Sequence, residues 1–150
     1  MSEIRANKER STFRMSVSVA AEIAAPADKV WSLLTSVDAQ RSWNSTLIEI
    51  DGAIDEGSTV RLKAHSAPDR EFKLKVRVEE PGRTMTWSDG MAPMFKGVRT
   101  FLLTPTDSGV RFEMTEVFTG LMLPMIAGSL PDFVPVFEAY AADLKTAAEA

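Results

Sequence analysis

A chain of 150 residues has the length of one ordinary domain, which leaves little room for separate cofactor and substrate modules. Its 45% hydrophobic and 25% charged residues match a folded soluble protein rather than a disordered, collagen-like or membrane chain, and this length buries roughly 70% of the unfolded surface, enough for a core and an internal cavity. With no cysteine and one histidine, His65, disulfide scaffolds, thiolate and multi-histidine metal sites and cysteine nucleophiles are excluded, and a net charge of −4 argues against nucleic-acid binding.

Residues 1–11 read as a flexible lead-in of mixed charge without an apolar signal-peptide core, which predicts a cytoplasmic protein, and residues 12–150 as a single domain. From Phe13 to Ile23 the apolar residues fall on odd positions, the period of a half-buried strand. A helix follows, with Pro26 at its first position and Val30, Leu33 and Leu34 on one side, and a second short helix covers Val37 to Trp43. Six strands come next: Leu47 to Asp51, Thr59 to His65, Phe72 to Val78, Thr84 to Ser88, Phe95 to Thr104 and Val110 to Thr119. Asp132 is an N-cap for a final helix to Ala148, with Pro135 in its first turn and Phe133, Phe137, Tyr140 and Leu144 on one face. The predicted class is α+β, an antiparallel meander in the order β-αα-β6-α.

Turn chemistry fixes register, and register decides which side chains meet. A loop at Thr106 to Gly109 pairs Leu103 with Phe112, Phe101 with Met114, Arg99 with Glu116 and Gly97 with Phe118 on one side of the sheet. That register sets an ion pair in an apolar row, either as a structural pair near a wet rim or as the polar end of a cavity. The Glu80-Pro81-Gly82-Arg83 turn, of type II, aligns Val78 with Met85 and Val76 with Trp87; Phe72 and Leu74 continue the same face. Five of the eight methionines, Met85, Met91, Met94, Met122 and Met125, lie between the fifth strand and the last helix with Met114 beside them, suiting an adaptable apolar surface.

On the opposite face, a loop at Ser66 to Arg70 sets Lys63 against Lys73 and Arg61 against Lys75, with Arg77 following and Glu49 opposite Arg61. This is a solvated outer face or a surface for an anionic partner. His65 shares its parity and points outward, so it is not a candidate base. The stretch from Val117 to Phe137 carries one charge, Asp132, but Pro124, Pro131, Pro135, Gly120 and Gly128 interrupt it. It reads as a lid over an apolar cavity rather than a membrane span.

Phe13 to Ile23 with APADKVWSLLTSVDAQRSWN resembles the opening of the START-like, Bet v 1-like (SRPBCC) superfamily, in particular its bacterial polyketide cyclase/dehydrase branch. GVRTFLLTPTDSGVRFEMTEVFTG resembles that family's last hairpin and FEAYAADLKTAAEA its closing helix. The resemblance implies a helix-grip fold: seven curved antiparallel strands around a long C-terminal helix, two short helices at one end, and a cavity between sheet and helix. It also implies an apolar ligand, a lipid, polyketide or aromatic molecule, with no metal or cofactor.

Three functions remain open. The first is a binding or carrier protein, with Phe72, Leu74, Met85, Trp87, Arg99, Phe101, Met114, Glu116, Phe118, Phe133, Phe137 and Tyr140 around the ligand. The second is a cyclase, dehydratase or isomerase in which Glu116 is the general acid or base and Arg99 stabilises an enolate. The third is a protein-interaction module. A monomer or homodimer is expected, with no nucleic-acid partner and no transmembrane segment.

Overall fold

The computed structural model describes residues 4–150. Eight strands, β1 (Ala6–Arg10), β2 (Arg14–Ile23), β3 (Leu47–Gly52), β4 (Thr59–Ala64), β5 (Ala67–Glu80), β6 (Thr84–Met91), β7 (Phe95–Thr106) and β8 (Gly109–Thr119), form one antiparallel sheet in the order β1-β2-β8-β7-β6-β5-β4-β3. Helices α1 (Ala27–Thr35) and α2 (Val37–Trp43) connect β2 to β3, and α3 (Leu123–Ile126) with a 3₁₀ turn (Ala127–Ser129) leads into α4 (Phe133–Glu149). The curved sheet and long C-terminal helix are those of the expected architecture, with one strand more.

The eighth strand comes from the segment read as a lead-in, whose residues 1–3 lie outside the described residues. Ala6 pairs with Val19 and Arg10 with Met15. The sequence Ala-Asn-Lys-Glu-Arg has no apolar alternation because β1 is an edge: its backbone is bonded on one side and its charged side chains discourage further pairing. Glu138 of α4 accepts a hydrogen bond from the Ala6 amide at 3.0 Å and ties this edge to the helix.

β2 owes its place to the alternation seen in sequence. Met15, Val17, Val19, Ala21 and Ile23 are all buried, while Arg14 and Glu22 are exposed. Fully burying one such aliphatic side chain is worth about 1.5–3 kcal/mol, so a one-residue slip that turned this row outward would be costly. Against these rows α4 lays Phe137, Tyr140, Ala141, Leu144 and Ala148, all buried, and Asp132 caps the helix by accepting from the Val134 amide at 3.1 Å.

Hairpin registers follow turn chemistry. Arg99 pairs with Glu116, Phe101 with Met114 and Leu103 with Phe112 as expected, although the turn is tighter, with Thr106 opposite Gly109. Val78 and Val76 face Met85 and Trp87 across a turn where Gly82 has φ +80°. At the start of the first helix Pro26 is the N-cap, one position before the place predicted for it, and α1 begins at Ala27.

The β4–β5 hairpin departs from its predicted register. β5 begins at Ala67, which pairs with Ala64, and a bulge then sets Leu62 against Phe72, Arg61 against Lys73 and Thr59 against Lys75. Lys63 therefore meets Glu49 of β3 at 3.7 Å rather than Lys73, and Arg61 stands opposite Asp51 rather than Glu49. The polar run before Phe72 resembles a loop, yet β5 takes it up because Pro68 falls in the bulged stretch between the Ala64–Ala67 and Leu62–Phe72 pairs, where a missing donor is tolerated. His65 is exposed as expected, but it lies in the turn, because β4 ends at Ala64 rather than at His65.

No helix among the described residues is long and apolar enough to cross a membrane.

Candidate ligand cavity

Between the inner face of β4 to β8 and the helices α2 to α4 lies a cavity of about 450 Å³. Curvature makes it: the strands bend away from α4, and side chains from both sides leave the centre unfilled. Phe72, Leu74 and Trp87 contribute one wall, Phe118 and Phe133 another, and Tyr140 part of the inner end. Phe118 stacks on Phe133 at 5.3 Å and on Phe95 at 5.8 Å between ring centroids, so these aromatic rings form a continuous surface.

Arg99 and Glu116 face each other inside this enclosure. Arg99 Nε donates to Glu116 Oε1 at 2.8 Å, and Arg99 Nη2 stands 2.8 Å from the same oxygen. The two side chains are only 18% and 15% exposed, so the pair is largely withdrawn from water. Its desolvation cost is offset in part by aromatic faces: the guanidinium carbon lies 4.9 Å from the Phe137 ring centroid and 5.9 Å from that of Tyr140.

An uncharged polar cluster occupies the inner end beside them. Gln40, fully buried, donates from Nε2 to the Leu34 carbonyl at 3.0 Å and to the Tyr140 hydroxyl at 3.1 Å. Asn44 donates to Gln40 Oε1 at 2.8 Å and accepts from the Thr46 hydroxyl at 2.6 Å. Each amide is satisfied, as burial demands. Burial pushes the Tyr140 phenol up to about 12, against smaller opposing effects of the Gln40 hydrogen bond and the Arg99 charge.

The segment after β8 walls the mouth. Met122, Ile126, Leu130 and Pro131 line the cavity, while Leu123 is fully buried against Met15 and Phe118. The segment is pinned to the β6–β7 hairpin by Leu121 N to Pro93 O at 3.0 Å and Met122 N to Met94 O at 2.9 Å. Gly120 permits this: its φ is +138°, and a Cβ there would collide with the Met94 carbonyl oxygen. Met91 and Met125, each 79% exposed, and Leu121 stand outside the mouth.

A family model described as "Polyketide cyclase / dehydrase and lipid transport" matches residues 14–149. The chain belongs to this family. No curated protein is significantly similar to it. A solved structure from Rhodobacter sphaeroides superposes with a TM-score of 0.69 at 18% identity, covering 97% of each chain. A conserved protein of unknown function from Enterococcus faecalis gives a TM-score of 0.67 at 15% identity over 97% of this chain and 77% of its own. DynU16, from the dynemicin biosynthetic locus, gives 0.62 at 18% identity over 87% of this chain and 46% of its own. At these identities the likenesses establish the fold.

Of the residues selected from sequence in this family member, Phe72, Leu74, Trp87, Arg99, Glu116, Phe118, Phe133 and Tyr140 line the cavity. Met85, Phe101, Met114 and Phe137 do not. They are fully buried in the core beside it, Met85, Phe101 and Met114 on the strands and Phe137 on α4, and there Phe101 packs on Trp87 at 5.0 Å between ring centroids. The methionines likewise divide: Met85 and Met114 are core, Met122 is wall, and Met91, Met94 and Met125 are exposed. Sequence reasoning missed Gln40, Asn44 and Thr46, and also Arg70 and Asp89 at the mouth. A signal existed for the first two: Val37, Gln40 and Asn44 are spaced i, i+3, i+7, so the amides continue the inward side of α2.

Proposed function

We propose that this family member binds and carries a hydrophobic small molecule in the cavity, with Arg99 and Glu116 orienting its polar end. The observation that carries this reading is an apolar, aromatic-walled space of about 450 Å³ whose inner end holds the Arg99–Glu116 pair and an uncharged amide cluster. That is the size and composition of small-molecule sites generally, in which a few placed polar groups fix orientation and the walls supply affinity. The family description, and the biosynthetic locus of DynU16, support a ligand of the polyketide or lipid type. Protein purified from its native host, denatured and extracted, should release an apolar molecule at near-stoichiometric amount by mass spectrometry. Leu74→Trp, which fills the space, should release none. The same molecule recovered equally from Leu74→Trp would place it outside the cavity and defeat the reading.

The Arg99–Glu116 pair also supports a second reading, cyclase or dehydratase chemistry, in which Glu116 moves the proton and Arg99 holds the developing oxyanion. With the extracted molecule or its precursor as substrate, Glu116→Gln should then abolish turnover and leave binding within about threefold, whereas parallel loss of both would remove the case for acid–base chemistry.

A further inference from the structure

Five of the seven large hydrophobic side chains exposed among the described residues, Phe13, Met91, Met94, Leu121 and Met125, stand at the end of the sheet where the cavity opens. They belong to three segments joined by backbone hydrogen bonds. Gly120 N donates to the Phe13 carbonyl at 3.2 Å, Leu121 N to that of Pro93 at 3.0 Å, and Met122 N to that of Met94 at 2.9 Å. The cavity wall runs out into them, since Phe95, Met122 and Ile126 line the interior. Apolar side chains gathered at adjoining turns and left in water mark a surface that meets something apolar.

Charge is distributed along the sheet to match. Antiparallel pairing sends alternate connections to opposite ends. Residues 11–13, 65–66, 92–94 and 120–131 lie at the mouth end and include no Asp, Glu, Lys or Arg. The connections at the far end, 53–58, 81–83 and 107–108, carry Asp55, Glu56 and Asp107 against Arg83, and Glu79 and Glu80 close β5 beside them. Behind the apolar tips stands a collar of cations. Arg14 and Lys96 are both register partners of Thr119 on the outer side of the sheet, and Arg10 pairs with Met15 on the inner side. None of the three forms an ion pair among the described residues. The carboxylates of this end are engaged or set back. Asp89 is held by Arg70 at 3.7 Å and Asp132 caps α4, while Asp69 lies beyond β6 and Glu9 back along β1 opposite Ser16.

We propose that this end of the molecule docks on a lipid bilayer bearing anionic headgroups, the five apolar side chains entering the interface and Arg10, Arg14 and Lys96 lying at headgroup level. An apolar tip backed by unpaired cations binds such a surface by two additive effects, burial of the side chains and attraction to anionic lipid. Methionine at three of the five positions suits a fluid phase, because its unbranched side chain adapts to whatever surrounds it. The net charge of −4 does not oppose this orientation. The eleven residues of β8 hold the acidic end roughly 35 Å from the bilayer, several screening lengths away. Docked in this way, the cavity opens toward the lipid.

The inference does not depend on what the cavity holds, and it is tested with lipid alone. The full chain is sedimented with phosphatidylcholine vesicles with and without about 30% phosphatidylglycerol. Wild-type protein should bind the anionic vesicles at least about tenfold more tightly, and raising the salt to about 0.5 M should remove that difference. Arg10→Gln, Arg14→Gln, Lys96→Gln together should lower binding to the level of neutral vesicles. Met91→Ser, Leu121→Ser, Met125→Ser together should weaken binding to both vesicle types by at least about tenfold. All six positions are on the surface, so both variants should melt as the wild type does. Leu74→Trp, which fills the cavity, should bind vesicles unchanged; loss there would trace the binding to lipid drawn into the cavity and overturn a docking surface. Equal binding to both vesicle types, or undiminished binding by the triple serine variant, would also overturn it. So would the absence of vesicle binding together with a dimer, seen by light scattering, that the serine variant dissolves, since the patch would then cover a second copy of this chain.

Discussion

Tyr140 is the only tyrosine in the chain, so its phenol can be followed by absorbance near 295 nm without interference. Burial raises it to about 12 in the folded protein against about 10 unfolded. Below pH 10 the group is neutral in both states and leaves stability unchanged. Between about 10 and 12 the unfolded chain has released a proton that the folded chain retains, so stability falls as pH rises, by about 1.4 kcal/mol per pH unit. The native absorbance midpoint should lie near 12 and move to about 10 in denaturant; a native midpoint near 10 would show a hydroxyl in contact with water. At this scale the sequence was legible wherever one residue's position followed from a turn. Arg99 opposite Glu116 needed only the count back from Asp107 and Ser108. The spacing of Gln40 and Asn44 placed them inward, but not in a polar cluster, because that depends on partners from Leu34, Tyr140 and Thr46 assembled around them.

Elements were legible in proportion to how far burial shaped them. β2 and α4 each bury a whole face and carry the matching period, so both were read with ends within a residue or two of those observed. β1 and the first half of β5 bury little: they are held by backbone ladders, which are indifferent to side-chain type, and polar sequence conceals them. The same reasoning makes β1 the least secure strand, since it has a neighbour on one side only and its tie to α4 is the Glu138 carboxylate. Glu138→Ala should accelerate hydrogen exchange of the amides of residues 6–10 by about tenfold while leaving those of β8 unchanged, as loss of one hydrogen bond to a charged group implies. Equal acceleration in both strands would mean that β1 opens only with the whole sheet.

At the scale of the molecule, the order of elements and the turn residues predicted an antiparallel meander closed by a helix, while the helix-grip architecture and its cavity came from the family resemblance and were not derivable from either. Volume depends on how far curvature carries the sheet from α4, a property of summed twists across eight strands rather than of any residue. That is why Met85, Phe101 and Met114, inward by strand parity, and Phe137, inward on α4, are packed in the core instead of lining the cavity. A space of about 450 Å³ inside one small domain is also a deficit of packing contacts, so the fold is weaker than a filled core of the same length would be. Occupancy restores what is missing: an occupant at a hundred times its dissociation constant adds about 2.7 kcal/mol to the folded state. Adding the molecule extracted from the purified protein at that excess should raise the melting temperature by several degrees in wild-type protein and leave Leu74→Trp unmoved; an equal rise in both would locate the stabilisation elsewhere. On the carrier reading the hollow would tie lifetime to supply. In a cell where unfolded chains are continuously degraded, the vacant form would be cleared faster than the filled one, and the amount of this protein would itself become a gauge of how much of its cargo is present.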